Sequence, residues 1–362
     1  MALDRILLTA FRNHAETRLD GARAINLLVG ENGAGKTNVL EAISLFAPGR
    51  GLRRAALPDM ALAGGNGSFA VSATLAPASD LGEPLALGTG IAADRPGRRL
   101  LRINGANASA TALAEWIAMG WLTPAMDGLF MASPGERRRY MDRLALAIFP
   151  DHARISGRFE AALRERNRML ADERGPDRGW LAANEAQLAE AGAALASRRA
   201  ALVEALAEAL ALEPDEPFAR PLLAYEAGGP LGAGQLAEAL AASRSRDISA
   251  RRTLTGPHRD DLAVTMAGKQ APAAQCSTGE QKAMLVAITL AHAALAARGR
   301  ASVLLLDEVA AHLDPVRREA LFDRLRASGT QVWLTGTEPA PFEGILQEAA
   351  CWRVSGGAVE PF

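Results

Sequence analysis

The sequence predicts an α/β fold: a sheet that delivers a glycine-rich loop, an antiparallel β lobe beside it, and an inserted α-helical subdomain with a short helical hairpin. Three observations predict it. The apolar run 24–29 leads straight into Gly30-Glu31-Asn32-Gly33-Ala34-Gly35-Lys36-Thr37 and then into a helical pattern. A second apolar run, 302–306, ends in Asp307-Glu308, as a buried parallel strand with chemistry at its C-terminal end would. From about residue 111 the composition shifts to Ala, Arg, Glu and Leu, and strand patterning fades until well past residue 210. The expected organisation is therefore residues 1–110 and 246–362 as two parts of one head, with 111–245 inserted as a helical subdomain.

Taken in order, residues 3–9 form a candidate strand, 11–14 a turn, and 24–29 the strand before the loop. A helix is expected from Lys36 to about Phe46, with Val39, Leu40, Ile43 and Leu45 or Phe46 on its buried face, stopped by Pro48-Gly49. Residues 68–76, 86–93 and 98–103 are strand candidates bounded by turns such as Asn104-Gly105. In the inserted region, 151–173 reads as one helix and 180–212 as another, separated by a turn over 174–179. Leu181, Leu188, Leu195 and Leu202 recur at strict seven-residue spacing, but the companion positions Asn184, Ala191, Arg198 and Ala205 are small or polar. That pattern favours a hairpin packed on other helices over a free coiled coil.

The loop has the form G-x-x-x-x-G-K-[ST], in which glycines let backbone N–H groups turn around phosphates, Lys36 supplies a compact charge, and the Thr37 hydroxyl can meet Mg²⁺. With 34 Gly, three Lys and 30 Ser plus Thr in 362 residues, chance yields this pattern in roughly two such chains per thousand. The chain carries 37 arginines, and a guanidinium's broad fork would crowd a site built for an ammonium, which gives Lys36 a physical reason to be lysine. Net charge of −1 confines any nucleic-acid surface to a local patch. Cys276 and Cys351 offer neither a disulfide framework nor metal-ligand spacing. No apolar stretch is long enough to span a membrane, and the first residues lack a signal peptide's pattern, so a cytoplasmic location without membrane attachment is expected.

Four motifs together resemble the ABC-type ATPase heads of the SMC/RecF kind: Gly30 to Thr37 as Walker A, Ser277-Thr278-Gly279-Glu280-Gln281-Lys282 as signature, Leu304-Leu305-Leu306-Asp307-Glu308 as Walker B, and His312-Leu313-Asp314 as D-loop. Three longer runs narrow the resemblance to the RecF family: Gly30 to Glu41, Ser133 to Asp142, and Thr255 to Leu262. It extends from Leu3 to about Thr337.

The resemblance implies ATP and Mg²⁺ as cofactors, with the loop residues Gly30, Glu31, Asn32, Gly33, Ala34, Gly35, Lys36, Thr37 and Asn38 around the nucleotide. Thr37 and Asp307 would hold the metal, and Glu308 would polarise the hydrolytic water. Ser277 and Gly279 would face the γ-phosphate on a second subunit, with Asp314 at the same interface, so that a homodimer forms on ATP binding and hydrolysis releases it. The family further implies DNA as partner, duplex and gapped or single-stranded, in gap repair, replication restart and the SOS response, with RecR and RecO helping to load RecA.

Departures from the usual head pattern accompany these likenesses. Residues 38–186 contain no glutamine for a Q-loop. Thr278 stands where a glycine is common, Glu280 falls near the opposing phosphate, and Gly336-Thr337-Glu338 stands where many heads carry a switch histidine. Slow ATP turnover is expected. Arginines cluster at 50/53/54, 98/99/102, 137–139, 164/166/168 and 251/252, and the 17 aromatic residues do not interleave with them, so DNA binding should be led by phosphate contacts. A transporter ATPase subunit shares the four motifs, but the 241 residues between Lys36 and Ser277 exceed what that head needs. A P-loop kinase of a small metabolite would leave the signature and D-loop without a purpose.

Overall fold

A computed structural model describes residues 2–77, 83–172, 177–297, 300–310 and 313–362. The chain opens with β1 (Leu3–Phe11), β2 (His14–Leu19) and β3 (Ile25–Val29), followed by α1 (Lys36–Ser44). Strands β4 (Phe69–Leu75), β5 (Leu85–Ala92), β6 (Arg95–Ile103) and β7 (Ala106–Asn107) precede α2 (Ala110–Trp116) and β8 (Ile117–Leu122). Helices α3 (Pro134–Ile148), α4 (His152–Leu170) and α5 (Arg178–Ala211) come next. Then follow β9 (Pro221–Glu226), α6 (Ala233–Ala242), α7 (Arg244–Ala250), β10 (Asp261–Met266) and β11 (Ala271–Pro272). The last stretch holds α8 (Thr278–Ala296), β12 (Ala301–Leu306), α9 (Pro315–Ala327), β13 (Gln331–Gly336), β14 (Ala350–Ser355) and β15 (Ala358–Pro361).

Two compact units result: Met1–Asp127 with Ile288–Phe362, and Gly128–Ala287. In the first unit, one sheet runs β15-β14-β3-β13-β12-β8, parallel except for the terminal hairpin. Its central strands are buried end to end, which is why they read as unbroken apolar runs. A second, antiparallel sheet runs β2-β1-β4-β5-β6-β7, and its alternating burial puts Ile6, Leu8, Phe11, Val71, Leu87 and Ile91 on the inner face.

One expectation is corrected here. The stretch after residue 111 is not free of strands: β8 pairs in parallel with β12, Ile117 opposite Ala301 through Leu122 opposite Leu306. All six residues of β8 are buried. A short apolar run with no alternation cannot be told from a continuing helix by periodicity, and α2 ends directly before it. The compact second unit accordingly starts at Gly128, later than the composition shift, and ends at Ala287. Strand β2 also escaped the sequence reading, because its buried positions are His14, Thr17 and Leu19, and two of these three are polar.

In the second unit, α4 and α5 form the expected hairpin, and it is packed: Ile155, Phe159, Leu188 and Leu195 close on Leu236 and Leu240 of α6. All four leucines of the seven-residue repeat are at least 98% buried. Gly192 allows the approach of α6, since a Cβ there would lie 2.9 Å from the Leu236 side chain. Beside this core, Arg166 is fully buried and bonds Glu185, Asp247, Thr253 and the Leu240 carbonyl. A three-stranded sheet, β11-β10-β9, completes the unit.

Candidate functional site

The glycine-rich loop leaves β3 under tight steric control. A Cβ on Gly30 would sit 2.1 Å from the Val354 carbonyl oxygen of the neighbouring β14, so the strand-to-loop junction admits glycine alone. Gly35, at φ 118°, is both left-handed and pressed against Asn13 and His14 of the β1–β2 turn. That turn braces the loop from behind: Asn13 Nδ2 donates to the Ala34 carbonyl (3.0 Å), and His14 Nε2 lies 3.1 Å from the Gly35 carbonyl. Asn38 Nδ2 donates to Asn13 Oδ1, and Gly357 N, from the β14–β15 turn, donates to the Ala34 carbonyl. Glu31, Asn32 and Gly33 form the exposed crest.

Helix α1 then starts with no side-chain cap, which leaves the N–H groups at its very start open to an incoming anion, while the Ala34 and Asn38 amides bond the Glu31 and Gly35 carbonyls. Lys36 curls back over the loop, its ammonium donating to the carbonyls of Gly30 (2.6 Å) and Glu31 (2.9 Å). Burial pulls its pKa below the usual lysine value, opposed by Glu308 and Asp307. Such a compact, poorly hydrated cation beside an uncapped helix start is suited to a phosphate chain.

Three elements meet beneath the loop. Asp307, at the end of β12, accepts from the Thr37 hydroxyl through both oxygens (2.9 and 3.1 Å) and from the Thr335 hydroxyl of β13 (2.8 Å). Burial pushes the Asp307 carboxyl up, while these two hydroxyls work against it. A Thr hydroxyl touching a carboxylate is a hard-oxygen donor pair of the kind Mg²⁺ takes, so the residues present fit that ion. Glu308 follows at φ 55°, a left-handed conformation rare for a non-glycine residue, and its N–H is fixed by the Thr335 hydroxyl (2.9 Å). The hydroxyl that organises both carboxylate residues is thus that of Thr335, fully buried, whereas Thr337 lies exposed past the strand end. Thr335, Asn13 and His14 were absent from the residues assigned to the site by sequence; their roles depend on strand register and turn placement.

The signature belongs to the second unit. Ser277 precedes α8, and its backbone N–H and hydroxyl both donate to Glu280 Oε2 (2.9 and 3.0 Å). Gly279 has open space where a Cβ would stand and no positive φ. Asp314 caps α9, accepting from Arg317 N (2.9 Å), while His312 lies outside the described residues. Of the arginine clusters, Arg53 bonds Asn38 and Glu41, Arg137 pairs with Asp261, Arg138 donates to the Asp260 carbonyl, and Arg166 is buried. Arg50, Arg54, Arg98 and Arg102 are exposed. Arg102 also borders a concavity of about 400 Å³ on the antiparallel sheet, floored by Ala70, Ser72, Gly88 and Gly90.

This architecture has known counterparts. The family model of the RecF/RecN/SMC N-terminal domain matches residues 2–349. The chain is 46% identical to the DNA replication and repair protein RecF of Mesorhizobium japonicum, over 99% of this chain and 97% of that protein. It is 45% identical to the RecF of Brucella suis, over 99% and 95% respectively. Among solved structures, the recombination mediator protein RecF with ATPrS superposes with a TM-score of 0.87 at 23% identity, covering 99% of this chain and 98% of that one. The Smc head domain of Pyrococcus furiosus gives a TM-score of 0.56 at 16% identity, covering 100% and 96%. Among the described residues, no helix is long and apolar enough to cross a membrane. Full-length similarity to RecF proteins, the family match and the shared head fold agree: the chain belongs to the RecF family of DNA replication and repair proteins.

Proposed function

We propose that this chain is a slow ATPase that closes on DNA as an ATP-dependent homodimer in recombinational gap repair. The observation that carries the ATPase reading is the junction of Thr37, Asp307 and Thr335 beneath a braced glycine-rich loop. The loop amides and Lys36 hold the β- and γ-phosphates, and Glu308, turned out of its strand by a left-handed backbone, orients the attacking water. Mg²⁺ on Thr37 and Asp307 supplies charge neutralisation on the phosphate oxygens. Ser277 and Gly279 take the γ-phosphate of the partner chain, so the triphosphate form alone favours closure. The stretch past the strand end supports slow turnover, since Gly336-Thr337-Glu338 stands where many heads carry a histidine, and none of these residues can take that imidazole's part.

For DNA, the exposed Arg50, Arg54, Arg98 and Arg102 form the surface of choice: four open guanidiniums lie within one compact unit, whereas Arg137 and Arg166 of two other clusters are held by carboxylates within the protein. Such side chains engage phosphates, so affinity falls steeply with salt and varies little with sequence. The family likeness supports RecO and RecR as partners and RecA loading as the outcome.

The test is molecular mass in solution and affinity for a gapped duplex, each in Mg-ATP and in Mg-ADP, with Ser277→Arg as control. Doubling of mass and tighter DNA binding in ATP alone, both lost in Ser277→Arg, are expected. A monomer whose DNA binding ignores the nucleotide would overturn the reading. Replacing Arg50, Arg54, Arg98 and Arg102 by alanine should flatten the salt dependence by ~0.9 in slope for each DNA phosphate that is no longer neutralised; an unchanged slope would place the DNA elsewhere.

A further inference from the structure

The start of α8 holds more than a signature motif. Glu280 turns back onto Ser277, accepting through one oxygen from both the backbone N–H and the hydroxyl of that residue. The other oxygen of the same carboxylate accepts from the ammonium of Lys269, 2.5 Å away, carried on the turn between β10 and β11. A backbone amide, a hydroxyl and an ammonium therefore converge on one anionic group. This is the donor set that a phosphoryl group takes at a helix N-terminus.

Two further observations point outward from this cradle. Gly279, next to it, needs to be glycine for no reason internal to the chain: its backbone is not left-handed and an added Cβ would touch nothing within 4 Å. The bare surface there matters only to something approaching from outside. The cation is also unusual for this protein, which has three lysines against 37 arginines. An exposed ion pair to glutamate is served equally well by arginine, whereas a site that must admit a compact tetrahedral anion favours an ammonium, the same argument that applies at Lys36.

We propose that Glu280 is an internal stand-in for the phosphoryl group that the signature receives, and that Lys269 is a positioning cation that passes from Glu280 to that phosphoryl group when two chains close. The inference rests on the ATP-dependent dimer proposed above. In the separate chain, the carboxylate keeps the three donors ordered and satisfied, which discourages closure on stray anions. In the closed pair, the γ-phosphate of the partner displaces Glu280 from Ser277, and Lys269 follows the greater negative charge. The displacement costs affinity, and so sets how readily the dimer opens after hydrolysis. The charged groups at the cradle are Glu280 and Lys269, with the Cys276 thiol close enough to feel both.

A double-mutant cycle on the full chain tests this, reading the dimer dissociation constant by sedimentation in Mg-ATPγS for the wild type, Glu280→Gln, Lys269→Met and the pair. Glutamine keeps the capping geometry but removes the charge, so Glu280→Gln should dimerise roughly fivefold more tightly. Lys269→Met should weaken the dimer about tenfold in the Glu280→Gln background, and by less in the wild-type background, where leaving the Glu280 ion pair offsets part of the gain from the phosphate. Nucleotide affinity of the monomer and the melting temperature should be unchanged across the set. If Lys269→Met has no effect once Glu280 is neutral, Lys269 serves only its own ion pair and the inference fails while the dimer stands. Loosening, or no change, in Glu280→Gln would overturn the stand-in role. A wild type that stays monomeric in Mg-ATPγS would sink the dimer reading itself, a distinct result.

Discussion

Replacing Thr335 by valine isolates the group on which both strand-end carboxylate residues depend. The side chain is fully buried in β13, donates to Asp307 at 2.8 Å and accepts from the Glu308 N–H at 2.9 Å. Valine keeps the shape and the strand propensity and removes only the hydroxyl. A hydrogen bond to a charged group contributes ~1.5–3 kcal/mol, and an N–H left unsatisfied costs ~1–3 kcal/mol. Because the two share one oxygen they do not add in full, and a loss of about 3 kcal/mol is expected. For a domain of this size that corresponds to a fall in melting temperature of roughly 6–12 °C. If the same misplacement of Glu308 carries through to the transition state, phosphate release from Mg-ATP slows by about two orders of magnitude. Differential scanning fluorimetry and a phosphate-release assay read the two effects. Thr335→Ser, which keeps the hydroxyl, should recover most of both. A Thr335→Val protein that melts within 2 °C of wild type (roughly 1 kcal/mol or less) and hydrolyses ATP at the same rate would refute the reasoning, as would a serine variant as impaired as the valine one.

Gly30→Ala should abolish nucleotide binding, because the new methyl meets the Val354 carbonyl at 2.1 Å and the loop must shift; a loss of at least ~100-fold is expected in a fluorescent-ATP titration. Arg166→Met should destabilise the second unit by ~3–5 kcal/mol in urea unfolding, since it leaves Glu185 and Asp247 buried, Asp247 without its cation. Asp142 provides a pH test. Burial alone would raise its carboxyl, but hydrogen bonds from His152 and Arg199 outweigh burial and hold it at about 2. A carboxyl depressed on folding stabilises above its ordinary value of 3.8 and loses that contribution as pH falls through about 2. Asp142→Asn should therefore cost roughly 2 kcal/mol at pH 7, with the gap to wild type closing between pH 4 and 2 in urea titrations; a gap that does not change with pH would assign the loss to packing.

The motifs of the candidate site were legible in the sequence because they are encoded locally. A loop that wraps phosphates needs its glycines, lysine and threonine at fixed offsets, and Gly30 to Thr37 states them in eight consecutive residues. Buried parallel strands must be apolar throughout, so β3, β12 and β13 stood out as runs, and the heptad leucines of α5 marked a helix that packs. What the sequence could not say is which residues from distant elements lie behind those motifs. Thr335 meets Asp307 across 28 positions because β13 lies between β3 and β12, and a one-residue change of register would have turned a neighbour inward instead. Asn13, His14 and Gly357 brace the loop through backbone carbonyls, which carry no side-chain signature. Strand β8 was hidden because burial on both faces erases the alternation that identifies a strand. The arginine clusters looked alike as sequence, and only folding separated Arg166, buried between two carboxylates, from Arg98 and Arg102 on an open surface. Local sequence determined the candidate motifs and the class of fold; long-range pairing decided which side chains support those motifs, because register and burial are properties of the packed chain.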